Sequence, residues 1–166
     1  MSSTAIHQFV DDLRAAFEAG DELVAHKAVE EACVALVQDQ YRALARGDFA
    51  AFLDTLADDI ELENVGPPAL PFVGRWQGRD QVAEAVQRNF SLIEDQRPEV
   101  LSLVAQGDTV VVVARERGRV RSTGQEYDMH WVQMLTYRER RLVKFRQVFD
   151  SGSILHALTG SATPGR

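Results

Sequence analysis

An α+β fold is predicted by two hydrophobic periodicities that divide the chain. Between Ile6 and Leu56 apolar residues recur at three- and four-residue steps, the spacing of a helix face. From Thr109 to Asp150 they alternate at period two through three segments joined by tight turns, the pattern of antiparallel strands. A chain of 166 residues with 45% apolar composition is long enough for one domain with its own core, and no internal repeat suggests a second.

Composition excludes several function classes. A formal charge of −7 and a pI near 5.1 argue against nucleic acid or an anionic membrane as partner, because both require a basic surplus. Met1 to Gln8 carry no basic cluster followed by an apolar run, and no stretch of about 18 apolar residues occurs, so neither secretion nor membrane insertion is expected and cytoplasmic residence is. The single cysteine, Cys33, rules out an internal disulfide and sits in a helical apolar stripe as a small core residue. His7, His26, His130 and His156 are scattered without ligand spacing, and no Gly-rich loop follows a strand to cradle phosphate; no metal and no cofactor are expected.

Taken in order, Ile6, Phe9, Val10, Leu13 and Phe17 mark an amphipathic helix ended by Gly20, an N-terminal extension over residues 1–27. Asp21 suits a cap, after which Leu23, Val24, Ala28, Val29, Cys33, Leu36, Val37, Tyr41 and Leu44 form one stripe that stops at Gly47. Asp48 caps a short helix bearing Phe49, Phe52, Leu53 and Leu56, and Asp58 and Asp59 end it. A strand then runs from Ile60, with Ile60, Leu62 and Asn64 on one face. Gly66 to Gln77 is too rich in Pro and Gly for regular structure, yet carries Phe72 and Trp76, which either plug the core edge or cover a cavity mouth. Gly78 to Ile93 reads as a helix with Val82, Val86, Phe90 and Ile93 inward, and Glu99 to Ala105 as an extended segment ending at Gln106-Gly107-Asp108. Residues 159–166 form a polar tail expected to be flexible.

The faces of the last strands follow from electrostatics. Placing Arg115, Arg117, Arg119 and Arg121 inside would bury four like charges, so they face outward and Val110, Val112, Ala114 and Glu116 face in. On the next strand the bulky set Met129, Trp131, Gln133, Leu135 and Tyr137 is inner, which leaves His130 outside. On the last, Val143, Phe145, Gln147 and Phe149 point in.

This order of elements, with the local signatures ARGDFAAFLDTLADDIELEN, GRDQVAEAV and TGQEYDMHWVQMLTYRERRLVKFRQVFD, resembles the nuclear transport factor 2-like superfamily, which includes ketosteroid isomerase and the SnoaL-like polyketide cyclases. The likeness covers about residues 28–158. It implies a cone-shaped α+β barrel: a curved, mostly antiparallel sheet wrapped around N-terminal helices and an apolar cavity, often in a homodimer packed through the sheet. Residue by residue, a ketosteroid isomerase would need an aspartate base at Asn64, a protonated aspartate at Gln133 and a tyrosine near Gln40 or Tyr41. Limonene epoxide hydrolase is matched at Asn64 and Glu116, but its arginine falls on Ala114, its second aspartate on Gln147 and its tyrosine on Leu62. The SnoaL-like cyclases use a cavity histidine, and no histidine here points inward.

The residues themselves suggest a small-molecule pocket. Glu116, a carboxyl among apolar residues with no inward arginine on its strand, is the candidate acid or base, with desolvation expected to raise its pKa; the alternative is a rim position paired to a neighbouring strand's arginine. Asn64, Gln133, Gln147 and Tyr137 would offer neutral hydrogen bonds, or bond one another within the wall, while Trp131, Phe145, Phe149, Phe72 and Trp76 would supply apolar surface. Two functions remain: general acid/base chemistry on a small apolar molecule bearing a few oxygens, or non-catalytic binding of such a ligand.

Overall fold

A computed structural model of the chain describes residues 20–160. The helix expected over Ile6–Phe17 and most of the expected tail lie outside those residues, as do the side chains of residues 20–26, Asp21, Leu23 and Val24 among them.

The first described element, α1 (Gly20–Ala45), is buried along Cys33, Val37, Gln40 and Ala43, a row of three- and four-residue steps. Ala28 and Val29, expected on that face, are exposed; one position along a helix is a turn of about 100°, and it is Glu30 that faces the sheet, accepting from the Gly107 N–H at 3.0 Å. Gly47 adopts φ 69 and ends the helix, and Asp48 caps α2 (Phe49–Asp54) by accepting from the Ala51 N–H at 3.0 Å. Strand β1 (Leu56–Val65) starts earlier than the sequence suggests: Asp58 and Asp59 lie inside it, both exposed, beside a pairing irregularity between Leu56 and Glu61. The Pro-rich segment is likewise more ordered than its composition implies. Its last four residues form β2 (Gly74–Gln77), which pairs with β1 and covers an edge that would otherwise be open.

Helix α3 (Arg79–Leu92) buries Val82 and Ala85. Phe90 borders the inner space as expected, with Val82, Val86 and Asn89, while keeping 41% of its surface exposed. Strand β3 (Ile93–Gln106) begins before Glu99 and contains Pro98, which is tolerated because β3 is an edge strand. Strands β4 (Thr109–Val120), β5 (Glu126–Arg138) and β6 (Arg141–Phe149) follow as hairpins, and α4 (Gly152–Thr159) closes the described chain.

The six strands lie in the order β2-β1-β6-β5-β4-β3, antiparallel except for the parallel β1–β6 pair. The outer strands β2 and β3 do not meet, so the sheet is unclosed, and bulges in β1, β3 and β6 bend it around the helices. Its inner face carries the core. Arg115, Arg117 and Arg119 of β4, and Arg121 just after it, face outward as expected, in ion pairs such as Arg115–Asp128 and Arg121–Glu94, the latter at 2.9 Å. One inner position differs on β6: a register shift between Thr136 and Tyr137 turns Leu142, 1% exposed, into the core in place of Val143. No helix among the described residues is long and apolar enough to cross a membrane.

The β5–β6 turn holds Glu139 at φ 51 and Arg140 at φ 64, a left-handed pair that favours Asn-Gly. The double substitution Glu139→Asn, Arg140→Gly is expected to raise stability by about 1 kcal/mol. Urea unfolding would measure it, and an unchanged or lower midpoint would show that the turn stores no such strain.

Candidate functional site

Between the inner face of the sheet and the helices lies a cavity of about 170 Å³. Its walls are mainly apolar, with Leu56, Ile60 and Leu62 from β1, Phe52 from α2, Val82 and Val86 from α3, and Leu135 and Phe145 from the sheet. Glu116 is the one charged residue in the lining.

Glu116 is 8% exposed. It faces Met129 across the β4–β5 ladder, so its diagonal neighbours on the same face are Tyr127 and Trp131. Both donate to it: the Tyr127 hydroxyl to Oε1 at 2.7 Å and the Trp131 indole N–H to Oε2 at 3.1 Å. Gly118 makes the first bond possible, since a Cβ there would stand 2.6 Å from the phenol oxygen. The third donor is Gln96, whose amide reaches Oε1 at 3.1 Å. It follows Asp95, which sits at φ 53 in a bulge where the β3–β4 register slips between Glu94 and Arg97. A bulge re-aims the next side chain, here toward the carboxylate.

These contacts correct the expectation of an uncompensated acid. Removing a carboxylate from water costs several kcal/mol even after relaxation. Hydrogen bonds from neutral donors to a charged group return about 1.5–3 kcal/mol each, so three of them are of the same order as the cost. The alternative, pairing to an arginine of a neighbouring strand, is not what compensates it: its side-chain partners among the described residues are Gln96, Tyr127 and Trp131, all neutral.

A second set of polar groups runs along the wall. The Tyr41 hydroxyl donates to Gln133 Oε1 at 2.5 Å, and Gln133 Nε2 donates to Gln147 Oε1 at 3.0 Å, so the two glutamines bond each other. Tyr137 donates to Gln40 Oε1 at 2.5 Å, and Gln40 Nε2 to the Thr55 hydroxyl at 2.7 Å. Asn64, 7% exposed, donates to the Phe72 carbonyl at 2.9 Å while its own Oδ1 is buried without a donor; Asn89 Oδ1 is in the same condition.

Of the residues singled out from the sequence, Glu116, Asn64, Phe72, Trp131, Gln133, Phe145 and Gln147 line the cavity together. Three do not reach it. Tyr137 is spent on Gln40, Phe149 packs on Phe72 with ring centroids 5.2 Å apart, and Trp76 lies on β2 with the Arg88 guanidinium 5.6 Å from its ring. Phe72 thus belongs to the cavity wall and Trp76 to the outer edge. Sequence reasoning missed Tyr127, Gln96 and Asn89. Tyr127 continues the Met129, Trp131, Gln133 alternation and was readable; Gln96 depends on a bulge and left no signal.

Residues 37–145 match the family model for the SnoaL-like domain. Among solved structures, an NTF2-like protein of Burkholderia xenovorans LB400 is similar with a TM-score of 0.67 and 29% identity, covering 77% of this chain and 96% of that one. An NTF2-like protein of Burkholderia thailandensis E264 gives 0.68 and 25%, over 76% and 96%. An LEH-like epoxide hydrolase of M. tuberculosis shares the fold at a TM-score of 0.63 and 18% identity, over 80% and 92%. No curated protein matches the chain.

All three tyrosines of the chain, Tyr41, Tyr127 and Tyr137, are pushed above the ordinary phenol range by burial, Tyr127 also by the adjacent Glu116 charge. Burial disfavours the phenolate, so the neutral form is bound to the fold: this stability is whole below the unfolded value of about 10 and is lost as pH rises through the raised folded values. An ultraviolet titration should therefore show no phenolate near pH 10, and all three should ionise together with loss of near-ultraviolet dichroism at higher pH. A tyrosine titrating normally in the folded protein would contradict this packing.

Proposed function

This chain belongs to the SnoaL-like domain family, and from that premise we propose that it binds a small, largely apolar molecule bearing a few oxygens in the cavity and moves a proton on it at Glu116. The observation that carries the reading is a single carboxylate, fixed in position, in a lining that is otherwise neutral. General acid/base catalysis needs a titratable group held within hydrogen-bond reach of the reacting atom, and Oε2, whose donor among the described residues is Trp131 alone, keeps acceptor capacity for that atom. The cavity of about 170 Å³ is smaller than the roughly 300–1,000 Å³ of pockets for drug-sized ligands. It is close to the roughly 150 Å³ that holds benzene in an engineered core. One ring or a short branched chain fits that volume better than a fused polycycle.

The residues around Glu116 favour proton shuttling by one group, as in isomerisation, cyclisation or dehydration, over a relay of two carboxylates through an arginine. Ala114, Gln147 and Leu62 stand where such a relay would need ionisable or hydroxyl groups. A second reading, a receptor or carrier without catalysis, is favoured by the three donors on Glu116, which suit a carboxylate that stays charged.

Glu116→Gln separates the two. Any turnover found with a panel of small enolisable ketones, allylic alcohols and hydroxy ketones should fall about 10²-fold or more if Glu116 transfers the proton. An unchanged rate, in a variant whose melting temperature shows it folded, would leave only the carrier. That control matters because the new amide N–H₂ would confront donors already aimed at the site.

A homodimer packed through the outer face of the sheet belongs to the same proposal, supported by Val104 and Val148, which expose 61% and 41% of their surface. Light scattering should return twice the chain mass of 18.5 kDa, and a monomer at all concentrations would refute it.

A further inference from the structure

The cavity holds a carboxylate and no group of opposite charge. Glu116 brings a negative charge with no cationic side chain in the lining, and its Oε2 has one donor. Asn64 Oδ1, on a residue more than nine-tenths buried, and Asn89 Oδ1 have none. A ligand with acceptors alone, such as a ketone or an ester, would leave the carboxylate without a counter-charge.

We propose that the occupant is a small protonated amine, its ammonium group donating to Glu116 Oε2 and its apolar body lying among the rings. This rests on the reading that the cavity holds a small molecule, and adds the ligand's charge. Two features converge on it. The carboxylate is positioned by neutral donors only, so its charge is not cancelled and a cation entering the low-dielectric cavity meets it undiminished. Trp131, Phe72 and Phe145 border the same space, and ring faces attract a desolvated ammonium.

Benzylammonium and its near-isostere benzyl alcohol test the charge directly, in the full chain at neutral pH, by calorimetry and by the shift of the Trp131 indole N–H resonance. The amine should bind about tenfold or more tightly than the alcohol. That preference should vanish in Glu116→Gln and persist in Glu116→Asp. Equal binding of amine and alcohol by the unsubstituted protein would overturn the amine assignment and leave the cavity as a small-molecule site. Saturable binding of neither compound would overturn both. Because the comparison within the unsubstituted protein needs no variant, poor folding of Glu116→Gln would not shelter the proposal.

Discussion

The inner face of the sheet has to hold a carboxylate, and the hydrogen bonds that make this tolerable organise much of what surrounds it. Each of the three donors on Glu116 depends on a particular backbone feature. The β4–β5 register sets Tyr127 and Trp131 on either side of Met129, opposite Glu116. The missing side chain at Gly118 leaves room for the phenol. The bulge at Asp95 turns Gln96 inward from an edge strand. A slip of one residue in any of these strands would send its donor to the outer face and leave the charge buried without partners.

Strand β4 sorts charge by sign. Its alternation sends Arg115, Arg117 and Arg119 outward, where Asp128, Glu126 and Asp95 meet them, and one glutamate inward, where no cation follows. The outward ion pairs are half-exposed and individually contribute little, roughly 0–1 kcal/mol. Their consequence is positional: with their own anions at hand, the arginines have no reason to reach around the sheet toward Glu116. The negative field inside therefore survives on a strand whose net charge is positive.

Which parts of this were legible in sequence follows from what kind of information each part needs. Period-two alternation was enough to put Glu116, Trp131, Gln133 and Gln147 on one face, because facing in or out is a local property of a strand. The capping Asp48 and the stop at Gly47 were equally local. Whatever depends on how two strands slide past each other was not. The bulge that aims Gln96, the shift that exchanges Val143 for Leu142, and the pairing that makes Gly74–Gln77 a strand exist only once the neighbouring strand is in place. Tyr137 shows the limit from another side: its inward direction was right, but α1 places Gln40 within reach, and that bond takes its hydroxyl out of the cavity.

One frame can support many chemistries. The backbone fixes a small number of inward positions around the cavity, and identities at those positions decide what can happen there. Here the positions corresponding to Asn64, Ala114, Gln133 and Gln147 hold no ionisable group, so a single carboxylate must do alone whatever proton transfer or charge recognition occurs. A lone carboxylate in an apolar space would be drawn to any polar atom that entered, in whatever orientation. Three donors arriving from three directions remove that freedom, leaving Oε2 the less occupied of its two oxygens. Specificity in such a site comes from how the anion is held as much as from the shape of the walls, because a charge with one open direction accepts one geometry of partner and disfavours the rest.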